Sequence, residues 1–130
     1  MPLHITSTTK SVRYIQPTTK DELRSIIEQE LEHQGPDADL NFIDTSKITD
    51  MYELFYKLNI RNIKIDKWDV SNVTDMVDMF LDCKEFNCDL RSWDVKNVED
   101  VSHMLTGCSK FNSCIPLDLC NKMNLALKFV

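Results

Sequence analysis

Glycine is almost missing from this chain: Gly35 and Gly107 are the only two in 130 residues. That excludes a glycine-rich loop cradling phosphates, and with it the common nucleotide-binding motifs. No nucleophile elbow is present either. No run of 18 apolar residues occurs, so no membrane-spanning helix is expected. The opening MPLHITSTTK has neither a basic start nor an apolar core, so it does not read as a signal peptide. A cytoplasmic location is therefore expected, and a surface location only if the chain is a piece of a longer precursor. Basic residues are outnumbered, 15 against 21 acidic, for a net charge of −6. This balance argues against direct contact with nucleic-acid phosphates.

Cysteine is present in an odd number, five. Its spacings, C-x4-C, C-x5-C and C-x5-C, miss those of zinc sites. Calcium needs six to eight convergent oxygens, and the aspartates that recur have other work, described below. His103 and Cys108 are five apart and would not face each other as a catalytic dyad. His4 and His33 have no spaced ligand partners. No catalytic, cofactor-binding or metal-binding residue is expected, and no cofactor.

What the chain does have is a repeat. DTSKITDMYELFYKL from Asp44, DVSNVTDMVDMFLDC from Asp69 and DVKNVEDVSHMLTGC from Asp94 align without a gap at a period of 25 residues. Such a period is the mark of stacked supersecondary units. Apolar columns recur: Ile48, Val73, Val98; Met51, Met76, Val101; Leu54, Met79, Met104; Phe55, Phe80, Leu105; Leu58, Cys83, Cys108. Within a unit they fall at i, i+3, i+6, i+7 and i+10, the spacing of one helix face. Two further columns, Leu40, Ile65, Leu90, Ile115 and Ile43, Trp68, Trp93, lie in short segments bounded by turn formers, which read as strands. The expected fold is thus α/β: a short right-handed solenoid of strand-turn-helix repeats, parallel strands on one face and helices on the other, with an N-terminal helical cap. Strands are expected near 40–43, 63–68 and 88–93, and helices near 47–57, 72–82 and 97–106.

Polar columns fit that scheme. Asp44, Asp69 and Asp94 would cap the helix starts. Asn62, Asn87 and Asn112 would bond backbone groups between units. Cys83 and Cys108 would lie on neighbouring helices about 8–10 Å apart, beyond the roughly 7 Å a disulfide spans, so reduced thiols are expected. Thr18 or Thr19 opens a helix with Leu23, Ile26, Ile27 and Leu31 on one face, ended at Gly35-Pro36. SVRYIQ reads as a strand. The chain divides into a strand and capping helix (1–43), three repeats (44–118) and a C-terminal cap (119–130), in one domain. Cys120, Met123 and Ala126 continue the columns. The final LALKFV reads as a tucked cap or an edge for self-association.

The string WDVSNVTDMVDMFLDCKEFNCDLRSWDVKNVEDV resembles the BspA-like family of leucine-rich-repeat proteins, over about Thr18 to Asn112. The first copy departs from that pattern at Leu58 and Arg61, and the third at Pro116 and Asp118. The resemblance implies a protein-interaction role and carries over no catalytic residue.

A binding patch is expected where apolar residues stand off the core stripe. Tyr52 and Tyr56 are rotated from it by about 100° per residue, and their equivalents are Val77 and Leu81. Glu53, Asp78 and Asp82 lie beside them. An apolar patch rimmed by charge suggests a partner site, unless the N-terminal helix covers it. The expected function is a non-catalytic protein-interaction module. The alternative is a small acidic inhibitor, encoded by a mobile element, that occupies the basic nucleic-acid groove of a partner.

Overall fold

The computed structural model describes residues 14–123. Among them only two helices form, α1 (Lys20–Gln34) and α2 (Leu117–Met123). The first starts as its sequence dictates. Thr19 accepts from the Glu22 N–H while Glu22 reaches back to the cap backbone, a reciprocal pair that satisfies two otherwise free donors. Leu23, Ile26 and Ile27 are buried, and Gly35 at φ 85° ends the helix.

The α/β fold of strand-turn-helix repeats is not formed. Among the described residues there is no strand, only isolated parallel bridges: Ile15–Ile43, Asp39–Lys64, Asp50–Asp75 and Asp75–Asp100. The helices expected over 47–57, 72–82 and 97–106 are runs of turns. The backbone shows why. Glu53 and Lys57, Asp78 and Asp82, His103 and Gly107 all have positive φ, between 55° and 82°. A right-handed helix cannot pass through a left-handed residue. Each of these segments is instead a series of overlapping turns: Leu54 N–H bonds to Met51 O, Tyr56 to Glu53 and Leu58 to Phe55. The intervening N–H groups leave the segment, Met51 donating to Asp75 O, Glu53 to Val77 O and Phe55 to Met79 O. The next unit repeats this, with Met76, Asp78, Phe80 and Asp82 donating to Asp100, Ser102, Met104 and Thr106.

Successive 25-residue coils therefore stack in parallel, joined by single bonds between turns rather than by a sheet. The apolar spacing still marks the core: Ile48, Met51, Leu54 and Phe55 are buried, as are Val73, Met76, Met79 and Phe80. Aromatic rings run through the stack. Phe80 lies 5.1 Å from Phe55 and 4.1 Å from Phe86, and Phe86 lies 5.7 Å from Phe111, all near parallel.

The polar columns hold one coil to the next. Trp68 and Trp93 donate their indole N–H to Leu40 O and Ile65 O, each at 2.9 Å. The Cys83 and Cys108 thiols donate to Phe55 O and Phe80 O, at 3.1 and 3.0 Å. Asn72 and Asn97 amides reach Ser46 O and Ser71 O. In the same column Lys122 reaches Lys96 O and Val98 O, so α2 closes the last described coil with the same kind of bond. The donors at 68, 83, 93 and 108 each reach a carbonyl 28 residues earlier. The first copy carries apolar Leu58 and Ile43 at the equivalent positions. Counting back from Leu58 gives Glu30, which lies inside α1, where carbonyls bond within the helix. Counting back from Ile43 gives Ile15, whose carbonyl already accepts from Asp44.

Asp44, Asp69 and Asp94 do not cap helices. Each accepts from the backbone N–H two residues on, as do Asp50, Asp75 and Asp100. These are side-chain-closed turns, which compete with helix for the same backbone. Asn87 Oδ1 accepts from the Asn112 backbone N–H at 3.0 Å, the kind of bond expected, and the Asn87 amide also donates to Asn112 Oδ1 at 2.8 Å, while Asn62 N–H goes to Asp37. Of SVRYIQ, Ile15 makes one parallel bridge and no strand; its first residues, and all of LALKFV, lie outside the described residues.

Candidate interaction surface

The expected patch falls not on helix flanks but on the turns of the first two coils. The Glu53–Val77 bond sets Tyr52 beside Val77, and the Phe55–Met79 bond sets Tyr56 beside Leu81. Tyr52 is 38% exposed; Tyr56, Val77 and Leu81 are half-buried. Of the acidic neighbours, Asp82 is exposed, and Glu53 and Asp78 are half-buried. All seven residues are therefore brought to one region. Glu53, Asp78 and Asp82 owe their positions to positive φ values of 55°, 57° and 60°.

The helix α1 comes up to this surface without covering it. Arg24 donates from Nη1 to the carbonyls of Glu53, at 3.0 Å, and Leu54, at 3.2 Å. Leu54 O is the equivalent of Met79 O, which accepts from the coil before it, so Arg24 stands there in place of a preceding coil's donor. Lys20 places its ammonium 4.9 Å from the Tyr52 ring centre and 3.7 Å from Asp50 Oδ2. Lys57 sits 5.3 Å from the Tyr56 ring centre. The Tyr52 phenol is held above its ordinary pKa, first by the charge of Glu53, then by burial and by Asp78. Sequence reasoning missed Lys20, Arg24 and Lys57. The i, i+4 spacing of Lys20 and Arg24 on α1 was the available signal, but what they face depends on how α1 docks.

Other reactive groups are engaged elsewhere. All five cysteines are free, though not because helices hold them apart: Cys83 and Cys108 each bond a carbonyl of the neighbouring coil. Burial, then the neighbouring Cys108, pushes the Cys83 thiol up to about 12, and burial pushes Cys108 up to about 11. His103 is exposed in a turn with Nδ1 3.3 Å from the Thr106 hydroxyl. Among the described residues no group of three or more His, Cys, Asp and Glu is placed to hold a metal. No helix among them is long and apolar enough to cross a membrane.

No curated protein and no solved structure matches the chain. The resemblance to the BspA-like leucine-rich-repeat family is not upheld: that family does not match, and the stacked turns lack the strands and helices such repeats require. The family that does match, over residues 23–126, is described as Mycoplasma protein of unknown function, DUF285, and the chain belongs to it.

Proposed function

We propose that this protein is a non-catalytic protein-interaction module that binds its partner through the turn surface of its first two coils. The observation that carries this reading is the exposed Tyr52 ring, with Tyr56, Val77 and Leu81 half-buried on the same two bonded turns and Glu53, Asp78 and Asp82 among them. Tyrosine gives contact area at low entropic cost and is frequent at interface hot spots. The turns beneath it are tied to the next coil by backbone bonds at Glu53, Phe55, Asp78 and Phe80. A surface held this way is ordered before it binds, which removes part of the cost of association.

The test is a photo-crosslinking residue at position 52, used to capture and identify the partner from lysate treated with nuclease. Affinity for that partner is then compared between the native chain and a Tyr52→Ser, Tyr56→Ser, Val77→Ser variant. The expected result is a nuclease-resistant protein adduct and loss of binding in the variant, with its circular dichroism unchanged. A folded variant that keeps native affinity places the site on another face.

A further inference from the structure

We propose that the partner presents a cationic segment to this surface, with a lysine or arginine side chain laid on the Tyr52 and Tyr56 rings inside the rim of Glu53, Asp78 and Asp82. The proposal deepens, and rests on, the interaction reading above. The first support is that both rings already attract ammonium groups from this chain: Lys20 lies over Tyr52 and Lys57 over Tyr56. An ammonium or guanidinium over an aromatic face is drawn by the ring quadrupole, more strongly once desolvated. These are short-range contacts with flexible side chains that a partner's cation would replace or join.

The second support is charge left unmatched. Asp50 and Asp75, then Asp75 and Asp100, are bridged in parallel, which brings backbones of like-charged residues to about 4.8 Å. Of these, Asp50 is paired with Lys20. Among the described residues no lysine or arginine makes an ion pair with Glu53, Asp78 or Asp82. The raised Tyr52 phenol, with Glu53 and Asp78 among its causes, reports the same negative field at the ring. A second copy of this chain would bring the same rim and be repelled; a cationic segment is attracted.

The third support is where the acids stand. Glu53, Asp78 and Asp82 occupy left-handed backbone positions. The equivalent of Asp82 in the third coil is glycine, Gly107. Glycine adopts this conformation without the penalty of a Cβ, and asparagine and aspartate are the other residues most often found there. Non-glycine residues held there concentrate at functional sites. Of the left-handed positions in the first two coils, Glu53, Asp78 and Asp82 are acidic and Lys57 is basic, where conformation alone favours Gly, Asn or Asp.

This last point supplies a clean variant. In Asp78→Asn, Asp82→Asn the charge is removed while the backbone conformation is kept. The full chain is titrated with an oligo-arginine amide, with oligo-glutamate and oligo-serine as controls, and backbone amide shifts are followed by NMR. We expect oligo-arginine to shift amides of 52–56 and 77–82. The double variant should bind about tenfold more weakly with an unchanged or raised melting temperature. Shifts spread equally along the Asp44, Asp69 and Asp94 edge, or equal binding by the double variant, would overturn the proposal as diffuse counter-ion attraction. If the crosslinked partner is lost from the tyrosine variant but held by the asparagine variant, the interaction reading stands and the cationic segment falls.

Discussion

The helix α1 and the coil that follows it solve the same problem in opposite ways. Both must pair every backbone N–H and C=O they bury. The helix does so within itself, between residues four apart, and needs its neighbours only to cover Leu23, Ile26 and Ile27. In the turns from Met51 to Leu58, the N–H groups of Leu54, Tyr56 and Leu58 bond locally, while those of Met51, Glu53 and Phe55 reach residues 24 positions later. A helix is therefore complete alone, whereas a coil is incomplete until the next one is laid beside it. Damage should stay local in α1 and spread in the stack.

The sharpest break of that contrast is Phe80→Ala. Phe80 is fully buried between Phe55 and Phe86, and truncation of such a ring costs about 3–5 kcal/mol. Denaturant unfolding should show a single lowered transition for the whole stack. An unchanged midpoint would mean that the ring stack does not hold the coils together. Trp93→Phe tests one tie between coils. It removes the indole bond to Ile65 O, but that carbonyl still accepts from Trp68 N–H. The loss should be about 1–2 kcal/mol, with faster amide exchange in both the second and third coils.

Thr19→Ala removes the cap of α1 and should cost about 1 kcal/mol. Here exchange should quicken in the first turn of the helix and remain unchanged at Met76 and Phe80. Spread of the effect into those coils would contradict the local character of α1. The smallest expected effect is a titration. Asp37 is held down to about 2, first by the hydrogen bond from the Arg61 guanidinium and next by the Asn62 N–H. A carboxylate depressed in the folded state adds stability above its unfolded pKa and loses it as pH falls through the folded value. That contribution should fade from about pH 4 to about 2. Asp37 is exposed, so the change in stability is slight, and carbon NMR of its carboxyl is the measurement. Arg61→Gln should move the Asp37 titration back towards ordinary carboxylate values.

Much of the repeat was legible without coordinates. The columns named the buried side chains, because an inward face must be apolar whatever backbone carries it. The strand-turn-helix reading failed because the tight turns bury Ile48, Met51, Leu54 and Phe55 at the same spacing a helix would. The warning signs were local: Asp50, Asp75 and Asp100, each able to close a turn onto the N–H two residues on, and Gly107 in line with Asp82 and Lys57. Tyr52, Tyr56, Val77 and Leu81 stand out in the sequence by their departure from that face, with Glu53, Asp78 and Asp82 beside them, while Lys20 and Arg24 do not because they arrive from another element.

By itself the sequence determined the period of 25, the inward columns, the start and end of α1, and the excess of acid. Those follow from side-chain chemistry at fixed spacing. Only the tertiary structure decided that the turns of one coil stack on those of the next, that Trp68, Trp93, Cys83 and Cys108 tie one coil to the last, and that Lys20 rests on Tyr52. The reason is physical: each of those bonds joins groups distant along the chain, and no local propensity encodes a partner that only stacking brings within reach.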